Sequence, residues 1–441
     1  MKITFFDVSF LEVSTHSSSL FARSFATDSC TVTDFPNMFE RPEGIENCRI
    51  WVDGCFDFAH HGHAGAMLQA RQLGKELYVG VHSDEEILAN KGPCVMKLDE
   101  RMTAVDACKW STKAIANAPY VTDPKVMDEY GCKYVVHGDD ITTDANGEDT
   151  YQVVKDLGKF VVVKRTPNIS TTDLVGRMLL MSKNHHYHDL NVAKNWQKLI
   201  NDGDNLDRFT QYATDETGLK PGAVVYLNTP DELKTIVEPS KTVAEKDNTR
   251  DEDSKYVYID GGFDLFHPGH IEVLKLVHHR AQQLGAKVIV GIHDDLTVNK
   301  YKGLNYPIMN IFERSLCVLQ CRYVDGIVLN APYVPTRQFL ARIGNVVKVY
   351  HGPTDVDESV YDEVAKKNED NGGGAGAGVY ETLPKHKYDH MSTEFIVDRV
   401  LQNKAVYVER QKKKGWKAEM EKVLEANERN KRNAEEGELK N

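Results

Sequence analysis

The stretch Phe56-Asp57-Phe58-Ala59-His60-His61-Gly62-His63 decides how this chain folds, and it recurs as Phe263-Asp264-Leu265-Phe266-His267-Pro268-Gly269-His270. A short β-rich run precedes each copy, Ile50-Trp51-Val52 in one case and Tyr256-Val257-Tyr258-Ile259 in the other, and an apolar pattern of helical period follows. Strand, glycine turn and helix are therefore predicted at both places. The histidines then stand where a new helix has unpaired backbone N–H groups and the positive end of its dipole, which is a site for phosphate.

Outward from the first copy, Leu77-Tyr78-Val79-Gly80-Val81, Tyr134-Val135-Val136 and Phe160-Val161-Val162-Val163 have the composition of further strands, with helical stretches between them. Valine-rich strands alternating with helices imply a parallel sheet covered on both faces, a doubly wound, Rossmann-like α/β domain. The second copy repeats the order. Val288-Ile289-Val290-Gly291-Ile292 answers Leu77 to Val81, Asn330-Ala331-Pro332-Tyr333-Val334 answers Asn117-Ala118-Pro119-Tyr120-Val121, and His351-Gly352 answers His137-Gly138. The offsets, 267 − 60 = 207, 330 − 117 = 213 and 351 − 137 = 214, grow slowly, so a whole domain is duplicated with small insertions. Two tandem domains packed as a pseudo-dimer are expected at 49–183 and 256–404. A disordered leader (1–48), a polar linker with some helix early on (184–255) and a charged helical tail (405–441) complete the chain.

At 441 residues and 41% hydrophobic content the chain can build two such cores. A formal net charge of −12 argues against chain-wide affinity for nucleic acid or anionic lipid, so a bound anion must be held by a local field. Eight cysteines include no C-x-x-C pair, which fits reduced thiols in the cytoplasm; Cys317 and Cys321 share a helix face and are read as core packing. No apolar run reaches the length of a membrane span. Asn184-His185-His186-Tyr187-His188 lacks spaced carboxylates or thiols and is read as an exposed histidine cluster, not a metal site. The glycine-rich run 372–378 has no following Gly-Lys-Ser/Thr and is read as a loop. In the tail, Trp416, Met420, Val423 and Leu424 form a narrow apolar stripe behind Lys412, Lys413 and Lys414, read as docking on the protein itself or simple solvation, with peripheral membrane contact the alternative.

With Lys91-Gly92-Pro93 followed by Glu100-Arg101, and with Arg165-Thr166-Pro167-Asn168-Ile169-Ser170-Thr171, the first half resembles the cytidylyltransferase family of the nucleotidyltransferase α/β superfamily. The first set is similar to the family's mobile lysine loop and the helix after it, the second to its R-T-x-G-I-S-T turn. An H-x-G-H motif alone also occurs in class I aminoacyl-tRNA synthetases and coenzyme adenylyltransferases, but the K-M-S-K-S loop of the synthetases is absent here. The resemblance implies transfer of the cytidylyl group of CTP to a phosphomonoester, with Mg²⁺ accompanying CTP and no dedicated protein metal site. Phosphoethanolamine is the expected acceptor, for phosphatidylethanolamine synthesis. Choline phosphate, another phosphomonoester, or a non-catalytic nucleotide sensor are the alternatives. A cytoplasmic enzyme, touching the endoplasmic reticulum surface at most through its tail and able to form a homodimer, is the corresponding expectation.

The chemistry needs cations and fixed donors, because attack on the α-phosphorus builds negative charge on the equatorial oxygens and on the departing pyrophosphate. His60, His63, Lys91 and Arg165 are the expected catalytic residues. The resemblance places Gly54, Cys55, Phe56, Gly62, Lys109, Thr166, Ile169, Ser170 and Thr171 around CTP, and Asp57, Tyr120, Asp140 and Tyr151 around the amine. Carboxylates suit a primary ammonium, which donates three hydrogen bonds, whereas a full aromatic cage suits a quaternary one. Asn168 stands where the family has glycine; asparagine tolerates a left-handed backbone, so the turn is expected to survive. The family's R/K-Y/W-V-D motif appears as Lys109-Trp110-Ser111-Thr112 in the first half, without its aspartate, and as Arg322-Tyr323-Val324-Asp325 in the second. The second half keeps Phe263, His267, His270, Lys302, Arg322, Asp325, Ser392 and Thr393 as nucleotide contacts. It replaces the acidic pair Asp139-Asp140 by Pro353-Thr354 and the arginine turn by Lys387-Tyr388-Asp389-His390-Met391-Ser392-Thr393. Turnover is therefore expected in the first half alone.

Overall fold

The computed structural model describes residues 41–238, 254–353, 358–365, 379–409 and 412. Most of the leader, the glycine-rich run and the apolar stripe of the tail lie outside the described residues. The first half runs β1 (Arg49–Gly54), α1 (His61–Leu73), β2 (Glu76–His82), α2 (Asp84–Lys91), α3 (Leu98–Ala107) and β3 (Lys113–Ala118). It continues through α4 (Pro124–Glu129), β4 (Cys132–Gly138), α5 (Gln152–Asp156), β5 (Phe160–Val163) and α6 (Thr171–Leu180). Two helices, α7 (Ala193–Asn201) and α8 (Asn205–Tyr212), and two strands, β6 (Val224–Asn228) and β7 (Leu233–Val237), follow. The second half comprises β8 (Lys255–Gly261), α9 (Pro268–Leu284), β9 (Ala286–Ile292), α10 (Asp295–Lys302), α11 (Ile311–Leu319) and β10 (Gly326–Leu329). It ends with α12 (Arg337–Ile343), β11 (Asn345–His351), α13 (Asp362–Ala365), β12 (Tyr380–Thr382) and α14 (Thr393–Gln402).

The first sheet has the order β3-β2-β1-β4-β5 and is parallel throughout. The second has the order β12-β11-β8-β9-β10-β6-β7, parallel except where β7 turns back on β6. Its first five strands repeat the first sheet, so both halves are doubly wound. In each, the crevice beyond the carboxyl ends of β1 and β4, or of β8 and β11, is the switch point where such sheets bind ligands. β3 escaped the sequence reading because Lys-Ala-Ile-Ala-Asn-Ala holds one β-branched residue and lies at an edge.

The interval read as a linker is largely built. β6 pairs with β10 and extends the second sheet, while Tyr212 of α8 donates its hydroxyl to the His61 carbonyl beside the first motif. Gln72 Nε2 of α1 donates to Gly218 O (2.7 Å), and Trp110 Nε1 to Asp215 O (3.1 Å). The interval therefore straps the halves together. The histidine cluster is also corrected: His185 and His186 are half-buried, and each places Nε2 against Pro307 O, at 3.0 and 2.8 Å. Burial pushes His185 down to about 4.

The halves join through matched contacts. Lys109 N donates to Gln320 O (2.8 Å) and Arg322 N to Ala107 O (3.0 Å), on either side of a bridge between Cys108 and Cys321. The Arg322 guanidinium holds Cys108 O and Ser111 O, and Lys109 Nζ holds Tyr212 O at 2.7 Å. Burial lowers the Lys109 ammonium to about 8. Lys109 and Arg322, expected at nucleotide, thus lie in the seam between the halves. Asp325 is engaged in the fold too: its carboxylate accepts from Val288 N of β9 (2.8 Å), as Thr112 Oγ1 accepts from Leu77 N of β2 (3.0 Å) in the first half. The lost aspartate therefore costs the first half no strand contact. One buried cluster, with Val105, Trp110, Phe209, Leu316 and Cys317 among its members, runs through both halves.

Close packing of the first sheet gives a direct stability test. A Cβ on Gly80 of β2 would clash with the Trp51 ring and lie 2.7 Å from Ala118 Cβ. Gly80→Ala is expected to destabilise the protein by about 1–3 kcal/mol, since core overpacking forces side chains off their rotamers; urea unfolding of the two proteins checks this.

Candidate active site

Each motif follows the strand at the switch point of its sheet, β1 in the first half and β8 in the second. After β1 the backbone passes through left-handed conformations at Phe56 (φ 52°), Phe58 (φ 62°) and Ala59 (φ 40°). Non-glycine residues there cost about 1–3 kcal/mol each and persist only where neighbours fix them. Asp57 does so: 1% exposed, it accepts Val95 N and Met96 N, both at 2.8 Å. Arg101, equally buried, donates to Cys55 O, Met96 O and His82 O. Asp57 is therefore not an ammonium ligand at the site surface; its carboxylate fastens the motif to the loop after Lys91.

His60 is the N-cap residue of α1, and its ring stacks on that of His63 with centroids 3.9 Å apart. Gly62 lets the next turn approach, because a Cβ there would lie 2.7 Å from Ile169 Cγ2 and 2.9 Å from His60 Nδ1. Thr166 is buried against Gly65 of α1. Ser170 caps α6 by accepting Asp173 N, and Thr171 Oγ1 donates to Asp57 O. Asn168 has φ 64°, the conformation that the asparagine-for-glycine change was expected to keep. The N-termini of α1 and α6 therefore meet beside His60 and His63. Gly54 closes β1 under the Phe56 ring.

At the mouth, Arg165 Nη1 and Asp140 Oδ2 form an ion pair at 3.0 Å, and Arg165 N donates to Asp139 Oδ1 (2.9 Å). Half of the Arg165 side chain is exposed. Lys91, at the end of α2, places Nζ 5.5 Å above the Tyr120 ring. Behind them lies a residue the sequence reading missed. The Asp53 carboxylate accepts from Trp51 Nε1 (2.8 Å), Thr122 Oγ1 (2.6 Å) and Tyr151 OH (2.7 Å). Burial, and then the Asp53 charge, push the Tyr151 phenol well up. Burial lowers His137 despite Asp140 and Asp53 nearby. Tyr120, Tyr151, Asp140 and Asp53 thus form one electrostatically linked wall. The signal for Asp53 was available: an acid ending an apolar strand, repeated as Asp260 at the motif's own offset, 260 − 53 = 207.

The second half encloses a cavity of about 370 Å³ lined by His267, His270, Lys302, Tyr333, Tyr361, Ser392 and Thr393 among others. Phe263 packs on His270, and His267 stacks on His270 at 3.8 Å. Burial pushes His267 down to about 3. Ser392 caps α14, and Thr393 Oγ1 donates to Asp264 O (3.1 Å). The cations differ from those of the first half. Lys302 Nζ is paired with Glu394 Oε1 at 2.7 Å; burial would raise that carboxyl, and the ammonium outweighs it, holding Glu394 below its ordinary value. Lys387, which stands where the first half has Arg165, reaches Asp99 of the first half at 3.2 Å. Volume alone does not make this cavity reactive, since in-line displacement needs positive charge available to the leaving phosphates.

Two segments, 51–177 and 258–399, match the cytidylyltransferase-like family model. With the histidine pairs at paired helix N-termini, they define a tandem nucleotidyltransferase. An ethanolamine-phosphate cytidylyltransferase of Dictyostelium discoideum is 40% identical over 377 residues, 83% of this chain and 94% of the relative. The Mus musculus protein of that name is 37% identical over 83% of this chain and 89% of its own length. Mouse choline-phosphate cytidylyltransferase A is 38% identical, over only 30% of this chain and 36% of itself. The chain belongs to the ethanolamine-phosphate cytidylyltransferase family.

Proposed function

We propose that the first half transfers the cytidylyl group of CTP to phosphoethanolamine, giving CDP-ethanolamine and pyrophosphate for phosphatidylethanolamine synthesis. A phosphate oxygen of phosphoethanolamine attacks the α-phosphorus in line; the new P–O bond forms as the α–β bridging bond breaks, and its electron pair leaves with pyrophosphate. His60 and His63 donate hydrogen bonds to the phosphate oxygens, supported by the α1 and α6 termini with Ser170 and Thr171. Lys91 closes over the β- and γ-phosphates from its loop. Mg²⁺ accompanying CTP would neutralise triphosphate charge, held by the substrate phosphates and water.

The Arg165–Asp140 pair carries the substrate assignment. Opposite charges side by side at the mouth match an acceptor with both a phosphate and an ammonium: the phosphate takes Arg165, and the ammonium takes Asp140 between Tyr120 and Tyr151. A primary ammonium donates to that carboxylate, whereas a quaternary one has no N–H to give. The second half lends support without turnover, because Glu394 and Asp99 hold Lys302 and Lys387.

The test is the full chain with radiolabelled CTP, Mg²⁺ and a panel of phosphoethanolamine, phosphocholine and glycerol phosphate. Pyrophosphate release with phosphoethanolamine is expected. Release with phosphocholine in its place overturns the acceptor, and CTP binding without release from any acceptor leaves a nucleotide sensor.

A further inference from the structure

The loop that presents Lys91 is anchored from the other half of the chain. Between Gly92, at φ 85°, and α3, the segment is pinned on one side by Asp57, which takes the amides of Val95 and Met96. Its other side belongs to α14. Arg399 Nη1 donates to Val95 O (2.8 Å) and to Glu100 Oε2 (2.7 Å), while Nη2 donates to Glu100 Oε1 (3.0 Å). That is a bidentate pair whose side chains are 19% and 5% exposed, the kind of geometry in which an arginine–carboxylate contact fixes position as well as charge. Glu100 also accepts Lys97 N (2.8 Å), so the carboxylate holds the loop's exit at two places. Just beyond α14, Tyr407 OH donates to Cys94 O (3.2 Å). The carbonyls of Cys94 and Val95 are thus held by residues more than three hundred positions away.

The same device exists in the opposite direction. Arg177 of α6 donates to Ile308 O (3.0 Å) and pairs with Glu313 at 2.7 and 2.8 Å, while Asp264 takes the amides of Ile308 and Met309. Each half therefore fixes the lysine loop of the other. In the second half Lys302 is paired with Glu394 in the first turn of α14, and the position of Glu394 corresponds to Thr172 in α6.

We propose that Arg399, acting through Glu100 and the Val95 carbonyl, is a positioning residue for the first-half reaction: the second half sets where Lys91 meets the triphosphate. This rests on Lys91 acting in the first half. A loop loosened at its exit still closes, but samples more arrangements, so the loss falls on turnover and on CTP and not on the acceptor, whose wall lies on other elements.

The experiment compares Arg399→Gln, Arg399→Lys and, as a control of matched geometry, Arg177→Gln in the full chain. Amide hydrogen exchange across 92–98 is measured beside initial-rate kinetics and thermal unfolding. Arg399→Gln is expected to speed exchange across 92–98 and to lower kcat, each by about tenfold or more, as loss of a charged buried hydrogen bond allows. KM for phosphoethanolamine should stay within about twofold. Arg399→Lys should recover part of kcat, because one ammonium reaches one of the two acceptors. Arg177→Gln should lower the unfolding temperature as much without speeding exchange across 92–98. Unchanged exchange in Arg399→Gln overturns the anchor, and faster exchange with unchanged kcat overturns its catalytic role. If the wild type releases no pyrophosphate, the proposed reaction fails instead, and the exchange data alone decide the anchor.

Discussion

His60→Ala is expected to lower kcat by about 10²–10³-fold, the loss seen when one preorganised donor to developing phosphate charge is removed. His60 is placed for this by the strand, the left-handed turn and the helix cap, which together leave its ring beside His63 and the α1 terminus. Steady-state pyrophosphate release measures the effect. The matching change, His267→Ala, leaves a hole in a buried stacked pair and should lower the unfolding temperature, yet reduce kcat by no more than about tenfold. The reason is charge: Lys302 and Lys387 are paired with Glu394 and Asp99, so on the proposed reading less positive charge is available there to a leaving pyrophosphate. A larger loss from His267→Ala than from His60→Ala would reverse the assignment of the halves.

Lys91→Ala should cost about 10²-fold or more in kcat/KM for CTP, because its ammonium is the mobile positive charge on the first-half loop. Lys302→Ala should leave kcat/KM within a few-fold, since the charge it removes is already balanced by Glu394 at 2.7 Å. Initial rates at varied CTP, with phosphoethanolamine saturating, distinguish the two. Equal losses from both would mean that the second cavity takes part in turnover.

Much of this was legible in the residues. The duplicated motif gave the two sheets, because a strand followed by a glycine turn and an amphipathic helix has few other ways to fold. Asn168 kept its left-handed turn for the reason its side chain suggested. Three features were not legible, and for a common physical cause. Asp57, Lys109 and Arg322 are typical site residues by type, but their partners, Val95, Tyr212 and Cys108, come from other elements, which local pattern does not show. The strap from 184 onward was hidden in the same way: Phe209 and Tyr212 bury a narrow stripe among polar neighbours, and β6 finds its place only beside β10. Asp53 was the exception, since the repeat marks it at the motif's own offset, as Asp260.

The distance along the chain between Lys91 and Arg399, 399 − 91 = 308 residues, has a consequence for how activity appears during synthesis. At ordinary elongation rates the ribosome needs roughly fifteen to sixty seconds to travel from one to the other. In that interval the first sheet can form with its histidines in place, but the clasp on its lysine loop has not yet been made. A nascent chain lacks the clasp on its lysine loop, so on the proposal above it would turn CTP over more slowly than the finished chain.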